Sequence, residues 1–167
     1  IKMAYQGNNS GGNNRPNNNG QNNGKGKYSN PNKNNYEQVI EPPKITLDYQ
    51  IQEQLFGSLA KQWSEQLEKE SDRTSNKINQ IRSFYDKVME LNEKAQNMTS
   101  DEQYRKEVFP FVIMLNSKVA YAKTRSLVSE TFVKMMNQCV EKAITVEKMN
   151  NFKLFFDIFL FLFISSF

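Results

Sequence analysis

The chain has 167 residues, a net charge of +4, no histidine and a single cysteine, Cys139. Without histidine, the commonest general base and the commonest metal ligand are missing, and one cysteine can form neither an internal disulfide nor a zinc site. The composition therefore excludes histidine-based catalysis and gives no redox sign of secretion, which fits a reducing cytoplasm.

Residues 1–44 make up a low-complexity arm dominated by Asn and Gly, as in GNNSGGNNRPNNNGQNNGKGKYSNPNKNNY. An arm so poor in large apolar side chains cannot offset the entropy lost on ordering, so we predict that it is disordered. It holds six cations and two acidic residues, which leaves residues 45–167 neutral in sum. Two interpretations stay open: the arm is a weak electrostatic tether to an anion, or it is an unconstrained extension.

Residues 45–167 are predicted to form one all-α domain, a compact bundle of about five helices. Apolar residues at a spacing of four draw a single stripe along the first helix, as an amphipathic helix facing a core does. That stripe consists of Ile51, Leu55, Leu59, Trp63 and Leu67. The second helix has its own stripe, at Ile78, Ile81, Tyr85, Val88 and Leu91.

The middle of the chain is predicted to begin a helix with a capping box formed by Ser100 and Gln103. Pro110 interrupts this helix, so either the helix kinks there, or a short helix ends near Val108 and a new one begins. A further helix carries Cys139 on its apolar face, and Thr145 is expected to cap the last helix.

The C-terminal run IFLFLFISSF is apolar on all sides and follows Asp157. It is shorter than the roughly 20 apolar residues that a membrane-spanning helix needs. We therefore interpret it as a core helix that has lost its polar face or as an altered C-terminus, and we do not expect membrane insertion.

The chemistry of a catalytic site is missing from the sequence. Six of the seven glycines lie in the arm, which leaves no Gly-rich phosphate loop in the helical part. Acidic residues at helix boundaries are explained by capping, and Glu90, Lys87 and Lys94 look like solvated pairs on one helix face. We therefore expect no enzyme activity, no metal, no cofactor and no small-molecule substrate.

Charge is segregated along the helical part. Residues 45–72 hold two cations and six acidic residues, whereas residues 108–134 hold four cations and one acidic residue. Either the acidic helix of one subunit pairs with the basic face of a neighbour, or the basic face stays free for phosphates.

The basic helix shows where such a face would lie. At about 100° per residue, Val112, Leu115 and Val119 set the direction of the core, and Lys118, Tyr121 and Arg125 fall together on one shoulder. Lys123 falls on the other shoulder. The first shoulder suits a ribose–phosphate backbone, although cations whose stems lie along a core edge would give the same pattern.

Four stretches occur in this order: INQIRSFYDKV (78–88), FVIMLNSKVAYAKTR (111–125), LVSETFVKMMNQCVEKA (127–143) and MNNFKLFFD (149–157). Together they resemble the small helical subunit of the type III-A CRISPR–Cas effector, the Csm complex. The resemblance implies a non-catalytic all-α bundle. Several copies of this bundle stack along the effector, contact its other subunits, and line the groove that holds CRISPR RNA and target RNA in antiviral defence.

The resemblance also implies which residues meet RNA. Arg82 matches a recurrent arginine of the second helix, and Lys118, Tyr121 and Arg125 match a lysine–aromatic–arginine group; all are expected to contact the backbone rather than base edges. From the placement of charge we add Lys77, Lys123 and Lys134. The alternative function is a helical adaptor that binds protein helices or a membrane surface without nucleic acid, which the acidic first helix and the apolar C-terminus favour.

Overall fold

The computed structural model describes residues 43–167, so the predicted arm lies outside the described residues except for Pro43 and Lys44. Every regular element in the described part is helical, which confirms the all-α class. A π-type turn at Leu55–Leu59 leads into the first helix. The six α-helices are α1 (Ala60–Lys69), α2 (Ile78–Gln96), α3 (Asp101–Glu107), α4 (Phe109–Thr124), α5 (Glu130–Lys142) and α6 (Val146–Ser165).

The count of six instead of about five arises at Pro110, where the second of the two interpretations is correct. α3 ends at Glu107, and α4 begins at Phe109 with Pro110 in its first turn. Proline is tolerated there because its missing N–H would have no partner within the helix. Two short helices therefore replace one kinked helix.

The apolar stripe of the first helix is confirmed from Leu55 onward and wrong at Ile51, which is 77% exposed. Asp48 Oδ1 accepts hydrogen bonds from the N–H groups of Gln50 (3.1 Å) and Ile51 (3.3 Å), which holds this segment in a turn. Gly57 then departs from helical geometry at φ −130° and ψ −106°. A regular helix therefore starts too late to bury Ile51.

Side-chain caps begin three of the helices. Ser100 Oγ accepts from the N–H of Gln103 at 3.1 Å, and Thr145 Oγ1 accepts from that of Lys148 at 3.1 Å, as the sequence predicts. Ser129 Oγ accepts from the N–H of Phe132 at 3.4 Å in the same way. Each cap satisfies one N–H group that has no partner within its helix.

The core is organised around a ridge of phenylalanines on α6, which packs against α1 and α2. Those helices cover Phe159 and Phe163, which confirms the interpretation of the C-terminal run as a core helix on that side, whereas Phe161 on another side is 71% exposed. No helix in residues 43–167 is long and apolar enough to span a membrane. The fully buried ridge consists of Phe152, Phe155, Phe156, Phe159 and Phe163.

A polar contact also joins α2 to α6. Tyr85 OH donates to Asp157 Oδ1 at 2.5 Å, and Lys153 Nζ lies 2.5 Å from Asp157 Oδ2. Burial alone would raise the pKa of Asp157, but the hydrogen bonds from Lys153 and Tyr85 outweigh it and lower that pKa. α4, by contrast, packs mainly against α5 and α3 and only lightly against α2.

Replacing Phe156 by Ala should lower the free energy of unfolding by about 3–5 kcal/mol, because it leaves a cavity among packed rings. Its ring centroid lies 5.7 Å from that of Tyr85 and 5.6 Å from that of Phe159. Phe161→Ala is the matched control, because Phe161 is 71% exposed on the same helix, and it should change stability by less than about 0.5 kcal/mol. Urea denaturation followed by circular dichroism measures both, and similar losses in the two variants would contradict this packing.

Candidate nucleic-acid interface

The strongest candidate site is a row of side chains along one side of α4. Val112, Leu115 and Val119 are buried, as predicted from the sequence. Tyr121 is 63% exposed, and Lys118 and Arg125 are exposed beside it. We call Lys118, Tyr121 and Arg125 the cationic stripe.

Tyr121 and Arg125 of the cationic stripe contact each other. The guanidinium carbon of Arg125 lies 5.8 Å from the centroid of the Tyr121 ring, and Arg125 Nη1 lies 3.5 Å from Tyr121 OH. A cation near an aromatic ring is attracted by the ring's quadrupole. This contact positions the Arg125 side chain while leaving its outer donors free for an anion.

Lys118 lies at the rim of an open groove between α2 and α4. The light packing of these two helices leaves about 370 Å³ there, adjoined by a further depression of about 260 Å³. Phe84, Leu91 and Leu115 supply an apolar floor. The remaining lining residues, on α2 and α4, are Ser83, Asp86, Lys87, Glu90, Lys94, Phe111, Met114 and Lys118.

The cations around this groove differ in whether they are already paired. Lys94 Nζ lies 2.8 Å from Glu90 Oε1, and Lys87 forms an ion pair with Glu90 Oε2. Hydrogen bonds from Lys87 and Lys94 hold the pKa of Glu90 at about 2. Lys118 and Arg125, however, form no ion pair with any residue in 43–167. Phosphate could therefore bind them without displacing an acidic partner from residues 43–167.

Two further predicted residues have different relations to the cationic stripe. Asn76 N–H donates to Leu127 O at 2.9 Å, which places the adjacent, exposed Lys77 at the same end of the α2–α4 pair as Arg125. Arg82 is exposed on α2, five residues before the groove residue Lys87. It is also one turn before the groove residue Asp86, about 40° away in helical rotation, so it lies beside the groove between α2 and α4 without lining it.

Lys123 and Lys134 also lie away from the cationic stripe. Lys123 Nζ is 3.9 Å from Glu130 Oε2, so Lys123 lies on the side of α4 that faces the start of α5. Lys134 is exposed on α5, where it interacts with a neighbouring group. The predicted set therefore separates into the cationic stripe on one side of α4, with Lys77 near its end, and individual cations on other surfaces.

Sequence reasoning missed the apolar continuation of the cationic stripe. Phe111 is 56% and Met114 53% exposed, and neither is among the residues predicted to contact RNA. The spacing could have placed them on the side of the stripe, though it could not show their exposure, because Phe111, Met114, Lys118, Tyr121 and Arg125 alternate at three and four residues. That spacing keeps side chains on one side of a helix.

Residues 43–167 contain no cluster of acidic, cysteine or histidine side chains that could hold a metal ion. Cys139 is buried, and burial raises the pKa of its thiol well above the ordinary range. This confirms Cys139 as a small core residue and makes it a poor nucleophile.

Comparison with known proteins gives one match. A family model described as Csm2 Type III-A matches residues 51–160. The matched range includes α1 to α5, most of α6 and every predicted site residue. No similar curated protein and no similar solved structure was found.

The Glu90 carboxyl should titrate at about pH 2 instead of its ordinary value of 4.5, because Lys87 and then Lys94 stabilise the charged form. Since the folded pKa is lowered, the stability from these pairs is present above pH 4.5 and is lost as pH falls towards 2. NMR titration of the side-chain carboxyl carbon measures this value. Lys87→Ala should raise the pKa, and an unchanged value would show that the pair does not form in solution.

Proposed function

Because the chain belongs to the Csm2 Type III-A family, the non-catalytic small subunits of a CRISPR effector complex, we propose that its cationic stripe contacts RNA. The RNA would be the guide and its target. The observation that carries this proposal is the exposed alignment of Lys118, Tyr121 and Arg125, with no acidic partner for the two cations within residues 43–167. Cleavage of RNA would be the work of other subunits.

The chemistry of the stripe suits backbone contact. Lys118 and Arg125 would each neutralise a phosphate and release counterions, which makes binding depend steeply on salt. Tyr121 could donate its hydroxyl hydrogen to a phosphate or lie against a ribose. None of these contacts reads a base edge, so the subunit would position RNA of any sequence.

The remaining predicted residues rank by their position. Lys77 lies near the Arg125 end of the stripe and is the best additional candidate. Arg82 lies one turn before the groove residue Asp86 and would extend the contact beyond the end of the groove. Lys123 would first have to leave Glu130, and Lys134 would act from α5. We also keep the predicted boundary near residue 44, with the helical part as the RNA-contacting domain in the cytoplasm.

Self-association by stacking is part of the same proposal, and two exposed apolar surfaces support it. One is a shallow groove between α4 and α5 in which Ile113, Ala120 and Ile144 are exposed. The other lies on α6, where Leu154 and Phe161 are exposed two turns apart. Because these are two different surfaces of one bundle, they suit a head-to-tail contact, in which the first surface of one copy meets the second surface of the next. Contacts with other effector subunits would use the same kind of surface.

A second candidate function, a helical adaptor that does not bind nucleic acid, is favoured by the same exposed apolar residues. Large exposed apolar patches mark sites of protein or membrane interaction. Salt dependence separates the two functions. Binding to phosphates falls steeply as salt rises, whereas docking of apolar helices does not.

Reversing two charges tests the RNA proposal. The double variant Lys118→Glu/Arg125→Glu should weaken binding of unrelated RNA sequences about equally and reduce the slope of log Kd against log salt by roughly 1 to 2. The matched control Lys61→Glu/Lys69→Glu makes the same change in charge on α1, and it should leave RNA binding nearly unchanged. Fluorescence anisotropy measures both. Equal losses in the two variants would show that net charge, not the stripe, sets affinity.

Freeing Lys87 and Lys94 from Glu90 should strengthen RNA binding. Glu90→Gln removes the partner of Lys87 and Lys94 beside the groove, so RNA affinity should rise, on the order of threefold at low salt. Glu65→Gln is the control, because it frees Lys61 from a 3.7 Å ion pair on α1. The same anisotropy titration compares them, and an equal gain in both would contradict a local effect.

A further inference from the structure

The cationic stripe does not end at Lys118. Phe111 and Met114 continue it towards the start of α4, and both are more than half exposed. Phe111 lies seven residues before Lys118, which is about 10 Å along the helix axis. An RNA strand that lies on Lys118 and Arg125 would therefore pass within reach of Phe111.

The surface beside Phe111 is a recess. Phe111 and Met114 line the depression of about 260 Å³ between α2 and α4 together with Leu91. It adjoins the larger part of the groove, over Phe84 and Leu115. The recess thus combines an aromatic wall and an apolar floor with an opening to solvent.

The rim of the recess is polar on both sides. Lys118 on α4 faces Lys87, Glu90 and Lys94 on α2 across the opening. A ligand that fits must present an apolar face to Phe111 and polar edges to these side chains, as a nucleobase does. The ridge of a protein helix would leave the rim charges facing apolar groups, and it suits the α4–α5 groove better, where Ile113, Ala120, Val140 and Ile144 supply much of the lining.

We infer that the recess between α2 and α4 seats an unstacked base of single-stranded RNA, with Phe111 supplying the stacking face. The inference rests on the proposed RNA contact and names the form of RNA that the site prefers. Bases of an A-form duplex are stacked on each other and cannot enter, whereas those of a single strand can splay out onto an aromatic ring.

The test compares Phe111→Ala, Phe111→Leu and Phe111→Tyr in the full chain. The probes are a 12-nucleotide oligouridine and a blunt RNA duplex of equal length, both followed by anisotropy at several salt concentrations. Phe111→Ala should weaken single-strand binding about tenfold without changing its salt slope, and it should leave duplex binding unchanged. Phe111→Tyr keeps an aromatic face and should bind as the unmodified chain does, whereas Phe111→Leu should not.

Controls separate this inference from the proposed function. Phe161→Ala removes a ring on α6 that is even more exposed than Phe111 and should leave the binding of both probes unaffected. Circular dichroism checks that each variant keeps its helix content. Suppose that Phe111→Ala binds the single strand normally while Lys118→Ala weakens binding of both probes. The inference that the recess binds a base is then wrong, and the proposed backbone contact is supported. If the unmodified chain binds neither probe, both proposals fail. If Phe111→Ala loses a protein subunit and keeps its RNA affinity, the recess is a protein site and the inference is overturned.

Discussion

Burial of the phenylalanine ridge on α6 is the constraint on which the arrangement of the other helices depends. α1 and α2 cover the two sides of that ridge, and α5 reaches it through Phe132, whose ring centroid lies 6.2 Å from that of Phe156. α4 therefore has no main contact with α6 and packs at the edge of the bundle. α4, which is apolar on nearly all sides, is therefore left half exposed, and the gap between α4 and α2 forms the groove.

Pairing of charges, more than their number, determines which cations of this bundle could serve an anionic ligand. An exposed ion pair adds little to stability, but it still has to be broken before its lysine can turn to a phosphate. Lys87 and Lys94 share Glu90, and Lys123 faces Glu130. Lys118 and Arg125 carry no such cost within residues 43–167. The proposed site thus coincides with the cations that lose the least on binding.

The features that could be predicted from sequence are the local ones. Ser100 and Thr145 cap their helices because capping depends on a few neighbouring residues, and the shared side of Lys118 and Arg125 follows from helical rotation alone. The prediction that Ile51 is buried was wrong because a turn held by Asp48 precedes the helix. Arg82 could be assigned to a helix, but its distance from the groove depends on how α2 packs against α6 and α4.

Phe111 shows a second limit of prediction from hydrophobic periodicity, which concerns the exposure of apolar residues. On α4, apolar residues occur on nearly every side, so periodicity cannot say which of them are covered. Packing decides it: Val112 is buried and Phe111 is not. Exposed residues of this kind emerge only once the neighbouring helices are in place, although they are the ones most relevant to binding.

The two recesses beside α4 have consequences for assembly because they share one rigid element. α4 spans Phe109–Thr124, about 24 Å of helix. One side faces the recess with a charged rim, and the other faces the apolar groove shared with α5. If RNA occupies the first and a second copy the second, α4 itself sets the distance between an RNA strand and the neighbouring subunit. A helix holds such a distance more tightly than a loop would, so each added copy would present its cationic stripe to the strand at the same spacing.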